Sequence, residues 1–272
     1  MVQADANRPH QAAALGLETV RGIGGAPSVT RAKPAAFKRD NKWMAFLSTA
    51  PDASELSRLL QQRYSCRGFL AESVPKATLE RIATLAQRTA SWCNAQPWRV
   101  HITSGDATQR FRDLMLAPVQ DGEPAADFPW PREYQGVYQE RRRECGLALY
   151  DSVGIARGDR EASARQSREN FRLFGAPHVA MITTDEALGV YGAVDCGAYV
   201  ANFMLAATAM GVATIAQAAL ASRPQRVRDF FALAPGRRVV CGISLGFEDT
   251  AHPANGFRTR RAELPATVDW VD

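Results

Sequence analysis

The chain has few of the groups from which metal centres and disulfide frameworks are built. Its five cysteines, Cys66, Cys93, Cys145, Cys196 and Cys241, stand far apart with no Cys-x-x-Cys pair, and their number is odd. They suit a reducing compartment better than a disulfide framework. Four histidines, His10, His101, His178 and His252, form no His-x-x-x-His and lie near no cysteine pair, so zinc has no ligand set at a recognisable spacing and no metal is expected. No run approaches the roughly 18 consecutive apolar residues that span a bilayer, and the N-terminus lacks the apolar core of a secretory signal. These absences predict a cytoplasmic protein with no membrane partner.

Charge of one sign is also missing from most of the chain. The net charge is +5 over 272 residues, but residues 1–43 carry seven Lys/Arg against three Asp/Glu, a net +4. From residue 44 onward 26 basic residues face 25 acidic ones, a net +1. A nearly neutral body argues against a nucleic-acid-binding face. Residues 1–43, rich in Ala, Gly, Pro and Arg, read as a flexible basic tail, and residues 44–272 as one domain with no internal repeat. Gly22-Ile23-Gly24-Gly25 imitates part of a dinucleotide loop, but no strand precedes it.

What is present is a series of periodic segments. Asp52-Ala53-Ser54-Glu55 has the form of a capping box before a helix to about Gln62 with Leu56, Leu59 and Leu60. A second helix follows Ser73 and Pro75 with Leu79, Ile82, Ala83 and Ala86 on one face and runs into the Ser91–Trp98 stretch. Val100 and Ile102 alternate with His101 and Thr103 as a half-buried strand, in which His101 is a satisfied polar neighbour. Asp106 caps a helix bearing Phe111, Leu114 and Met115, and residues 118–131 form a loop long enough to cover a site. Residues 132–150 predict a charged amphipathic helix whose Arg141-Arg142-Arg143 is a solvated face. A helix through Asn170 to Phe174, a strand at Val179–Ile182, a long buried helix at Tyr191–Met210 ended by Gly211, and an extended segment at Val212–Ile215 follow. A helix from Ser222 with Pro224 in its first turn and a strand at Val239–Phe247 complete the pattern.

Three stretches carry chemistry. Arg63-Tyr64-Ser65-Cys66-Arg67-Gly68 puts two guanidinium groups and a hydroxyl into one turn, a set suited to phosphate. Ser91-Trp92-Cys93-Asn94-Ala95-Gln96-Pro97-Trp98 gathers planar and amide side chains before a proline, which suits a flat polar ligand as well as a helix stop with two core tryptophans. Arg258, Arg260 and Arg261 form a second anion candidate. Gly242-Ile243-Ser244-Leu245-Gly246 matches Gly-x-Ser-x-Gly, yet no helix follows and His252 comes too soon, so a serine hydrolase is not expected.

In this order the motifs resemble the FMN-dependent nitroreductase family, and especially its nitrobenzoate-reductase-like branch. The run from Cys241 to Asp249, the stretch His252–Arg261, Asp195-Cys196-Gly197 through Gly211, and Thr214-Ile215-Ala216-Gln217 extend the likeness over about residues 50–272. The resemblance implies an α/β (α+β) three-layer fold with a mixed, mostly antiparallel sheet flanked by helices and a long buried central helix. It implies FMN held by Arg63, Tyr64, Ser65 and Arg67 of the first turn and closed upon by Arg258 and Arg261. Ser91, Trp92 and Asn94 would meet the ring across a homodimer interface, with the backbone around Gln217 and Ala218 at its other side. Ala90 stands where the family usually has proline. The implied activity is a two-step hydride exchange from NADH or NADPH to a nitroaromatic or similar electron-poor small molecule, with no catalytic side chain. A flavin-binding carrier or sensor on the same fold is the alternative.

Overall fold

In the computed structural model, which describes residues 53–119 and 125–272, strand β2 (His178–Asp185) lies inside the sheet with seven of its eight residues buried. The basic tail expected over residues 1–43, Asp52 of the expected capping box and part of the 118–131 loop lie outside the described residues. β2 pairs antiparallel with β1 (Arg99–Ile102) on one side and with β4 (Arg237–Gly246) on the other, and β4 pairs antiparallel with β3 (Ala213–Gln217), giving the order β1-β2-β4-β3. One parallel bridge, Ser65 to Thr214, makes the outer edge mixed.

The two-residue period of β2 divides its side chains between two cores. Ala180 and Ile182 enter one cluster with Leu79, Ile82, Tyr199 and Phe203. Val179 and Met181 enter the other with Phe111, Met115, Leu220 and Val227. The first layer consists of α2 (Lys76–Ala86) and α6 (Gly189–Ala209); α3 (Asp106–Leu116) and α7 (Pro224–Phe231) cover the opposite face. A bulge shifts the β2–β4 register between Ile182 and Thr183, so that Val240 and Cys241 both pack against the first cluster. Trp98 stacks on Tyr199 with ring centroids 5.0 Å apart, and burying a ring of this size stabilises the fold by roughly 1.5–3 kcal/mol.

Several expectations are corrected. α6 runs close to the expected span and Gly211, at φ +70°, ends it, but Tyr191, Val194, Ala198 and Ala201 stay exposed along one stripe. By length and composition, Glu186–Ala209 could cross a bilayer, although no uninterrupted apolar run announces it; it packs on β2, β3 and α2. α1 (Ser54–Gln62) buries none of its residues, and Leu56 and Leu60 are exposed. The helix expected near residues 132–150 is α4 (Gly136–Ser152); it has no buried residue, since its apolar positions do not share a face. The helix placed at Asn170–Phe174 is instead α5 (Arg160–Arg168), followed by a short turn at Leu173–Gly175. Asp106 caps nothing, since Gly105 occupies the N-cap position of α3, whereas α7 opens on Pro224, two residues after the expected start at Ser222. His101 is not satisfied among the described residues, where its buried Nε2 has no hydrogen-bond partner and its ring lies beside that of Phe231. The 118–131 loop is anchored by Asp127, whose buried carboxylate pairs with Arg228 at 2.8 Å and accepts from the Val239 amide at 2.7 Å.

Candidate functional site

The Arg63–Gly68 turn begins where α1 stops: Arg63 leaves the helix in extended conformation and the chain crosses the free edge of β3. Ser65 bridges Thr214, the Cys66 amide donates to the Thr214 carbonyl at 3.1 Å, and the Leu70 amide donates to the Phe247 carbonyl at 2.9 Å. Gly68 is required by close approach, since a Cβ there would lie 2.3 Å from Cγ of His252. Asn255 locks this turn to the C-terminal segment. Its Oδ1 accepts from the Arg67 amide at 2.7 Å, and its Nδ2 donates to the carbonyls of Gly68 and Asp249, each at 2.9 Å. Two arginine-bearing stretches almost 200 residues apart are thereby joined by one buried amide.

Between them lies a cleft of about 360 Å³ lined by Arg63, Ser65, Arg67, Arg258 and Arg261, with Tyr64 and Cys145. No carboxylate lines it, and none of these four arginines forms an ion pair among the described residues, whereas Arg260 turns away to Glu144 at 2.8 Å. Burial lowers the Arg67 guanidinium from its ordinary range; burial and then the facing Arg261 do the same for Arg63. Removing cations from water next to one another is unfavourable until an anion arrives. Arg67 also lines a second cavity of about 210 Å³ bounded by Tyr150, Asn170, Ile215, Ala216, Gln217 and Ala218. The Gln217 side chain is occupied elsewhere, donating to the Asn170 carbonyl at 2.8 Å and accepting from Ser244, so the edge it offers there is backbone.

Ser91, Trp92 and Asn94 are not brought to these cavities. α2 ends at Ala86, so the stretch is not a helix end but a separate turn at Trp92–Asn94 lying against α6. The Asp195 carboxylate accepts from the Trp92 amide at 3.2 Å, and Trp92 meets Tyr191 edge-on at 4.5 Å. Ser91 Oγ accepts from the Gln96 amide at 2.9 Å. Trp98 belongs to the core, but Trp92 is 59% exposed, which rules out the pair of core tryptophans. Cys93, Asn94 and Gln96 all have φ between 49° and 55°, a conformation that costs a residue with a side chain roughly 1–2 kcal/mol.

Sequence reasoning missed Asn255 as a site residue, along with Tyr150 and Asn170 in the second cavity. Asn255 could have been suspected from its place between His252 and Arg258; Tyr150 and Asn170 carry no local signal. Ser244 is fully buried inside β4 and donates to Gln217, which leaves no exposed elbow. Ser244→Ala is therefore expected to retain activity and lose about 1 kcal/mol of stability from the orphaned Gln217 oxygen, measured by urea unfolding. Labelling of Ser244 by a fluorophosphonate would contradict this. Among the described residues no group of His, Cys, Asp and Glu could hold a metal ion.

The layering and the joined arginine stretches define an α/β scaffold with an anion-binding cleft, and comparison gives its family. The model of the nitroreductase family matches residues 60–247, and the chain belongs to that family. It is 36% identical over 218 residues to nitroreductase NfnB of Mycolicibacterium smegmatis, a match covering 79% of this chain and 92% of that one. It is 30% identical to a 4-nitrobenzoate reductase of Pseudomonas putida, covering 80% and 94%. The crystal structure of the FMN-dependent nitroreductase NfnB from Mycobacterium smegmatis, in complex with NADPH, superposes with a TM-score of 0.77 at 34% identity, over 81% of this chain and 99% of that one. The three-layer fold and the family expected from the motifs both hold.

Proposed function

We propose that this chain is an FMN-dependent oxidoreductase that uses NADPH or NADH to reduce nitroaromatic or similarly electron-poor small molecules, working as a cytoplasmic homodimer that engages neither membrane nor nucleic acid. The observation that carries the reading is the cleft of four arginines with no carboxylate, joined through Arg67 to a second cavity edged by backbone. Its donor set fits the phosphate of FMN: Arg63, Ser65, Arg258 and Arg261 would hold the phosphate, with Arg67 reaching toward the flavin's polar chain or ring. When bound, FMN supplies the two-electron chemistry that links nicotinamide oxidation to acceptor reduction.

The protein's part is then positional and electrostatic. The desolvated Arg67 keeps positive charge beside the ring cavity and so favours a reduced, more anionic ligand. The strand end at Gln217 and Ala218 offers rigid backbone, and the Asn255 clasp keeps the two halves of the anion site together. The homodimer reading rests on the exposed apolar stripe of α6 and on Trp92, with Tyr191 57% and Val194 60% exposed. In such a dimer the Ser91–Asn94 turn of one protomer would meet the ring cavity of the other, which accounts for its strained and outward conformation. Five free thiols agree with a reducing compartment.

The test is anaerobic addition of NADPH and of NADH to the purified protein, followed by 4-nitrobenzoate, nitrobenzene and a quinone, with solution mass measured in parallel. Expected are a yellow protein of two chains, bleaching by a nicotinamide, and recovery of colour on adding a nitroaromatic. A colourless protein that takes up no FMN would end the proposal; tight FMN that neither nucleotide reduces would turn it into a carrier.

A further inference from the structure

Tyr64 sits between two residues of the anion cleft, yet it has neither a charge nor a hydroxyl available for phosphate. Its hydroxyl is buried with no partner in good hydrogen-bond geometry among the described residues, and burial, then the nearby Glu248 carboxylate, pushes the phenol's pKa up. Its ring packs against the second core cluster on one side. Over the ring lies the Arg258 guanidinium, its central carbon 3.6 Å from the centroid. Arg258 commits Nη1 to the carbonyls of Asn255, at 2.8 Å, and Phe257, at 2.9 Å. Among the described residues, its Nε and Nη2 donate to nothing, and it forms no ion pair.

A guanidinium has five N–H donors in a fixed plane. Here the face is held by an aromatic ring and one nitrogen by two carbonyls, leaving the Nε–Nη2 edge, which is the pair of donors that binds a phosphate through two parallel hydrogen bonds. An unrestrained arginine would have to give up rotamer freedom to present that edge; this one has already lost it.

Resting on the FMN reading above, we propose that Tyr64 is a positioning residue for the flavin phosphate: its ring face holds Arg258 flat so that the Nε–Nη2 edge is presented to the ligand. The aromatic face is the required property and the hydroxyl is dispensable. Leucine, apolar and of lesser volume but without a π face, should therefore fail where phenylalanine succeeds.

The experiment titrates apoprotein with FMN and with riboflavin, which differ only by the phosphate, following flavin fluorescence; thermal melting confirms that each variant is folded. Tyr64→Leu is expected to weaken FMN about two- to fivefold, the range of a cation–π contact whose cation is exposed, and to leave riboflavin unchanged. Tyr64→Phe is expected to match the wild type with both ligands. In an Arg258→Ala background, Tyr64→Leu should add no further loss. Equal losses with FMN and riboflavin would make Tyr64 merely structural and overturn the inference. So would a loss in Tyr64→Phe, or no loss in Tyr64→Leu. If the wild-type protein itself does not prefer FMN to riboflavin, the failure lies with the phosphate-site reading rather than with Tyr64.

Discussion

Arg67→Met is expected to weaken FMN binding roughly 30- to 150-fold while stabilising the apoprotein. The two effects have opposite signs for one reason. Arg67 is a partly buried cation that, among the described residues, has no ion-pair partner; its Nη1 donates to the Ser65 carbonyl at 3.1 Å, and burial lowers its pKa. Replacing such a charge with an apolar side chain of similar length removes a desolvation penalty, an effect of about 1 kcal/mol, or a rise of roughly 2–4 °C in Tm for a domain of this size. In the proposed complex the same group would make charge-assisted hydrogen bonds to FMN worth about 2–3 kcal/mol, which converts to the stated loss of affinity. Equilibrium titration of the apoprotein and thermal melting in the absence of flavin check the two halves separately. Unchanged affinity would place the ligand away from the arginine cleft; a fall in apoprotein Tm would mean that Arg67 is held for packing.

The largest stability effect is expected from Asn255→Leu. The Asn255 side chain is 4% exposed and serves three backbone groups, so its loss strands the Arg67 amide and weakens the satisfaction of two carbonyls in a dry junction. Each buried polar group left unpaired costs about 1–3 kcal/mol, and the Gly68 carbonyl keeps a second donor in the Asp249 amide at 3.0 Å. A total of about 3–4 kcal/mol follows, or a fall of roughly 6–16 °C in Tm. FMN affinity should fall as well, because the junction sets the separation of Arg67 from Arg258. Asn255→Asp, which keeps the acceptor for Arg67 but loses both donors, should lie between the wild type and Asn255→Leu. A loss below 1 kcal/mol in Asn255→Leu would show that the Leu70–Phe247 contact alone closes the turn.

These two residues illustrate how unevenly the molecule can be read from its chain. Arg67 was legible because arginine, serine and arginine within five positions have a chemical meaning without neighbours. Asn255 was not, because its importance lies in whose backbone it serves, and two of those groups belong to residues 67 and 68. The Ser91–Trp98 stretch falls between these cases. Its unusual composition was visible, but that α2 stops at Ala86, and that three residues with side chains then adopt positive φ, depends on Asp195, Tyr191 and the surface of α6. The same holds for α4, where a charged amphipathic helix was expected and a helix forms, but the expected apolar face does not, and none of its residues is buried.

The sequence by itself determined β2 and α6, since a short apolar run marks a strand covered on both faces and a long apolar stretch ended by glycine marks a central helix, and both are written in local order. It also determined the chemistry that could be read locally: two arginine stretches suited to an anion, and a Ser244 motif lacking its helix. Only the tertiary structure decided that those arginine stretches share one cleft, that Asn255 joins them, that Trp92 faces outward while Trp98 faces in, and that Tyr64 lies beneath Arg258. Each of these is a contact between residues distant in the chain. Such contacts depend on how sheet and helices pack, and packing is a property of the whole chain that no local pattern records.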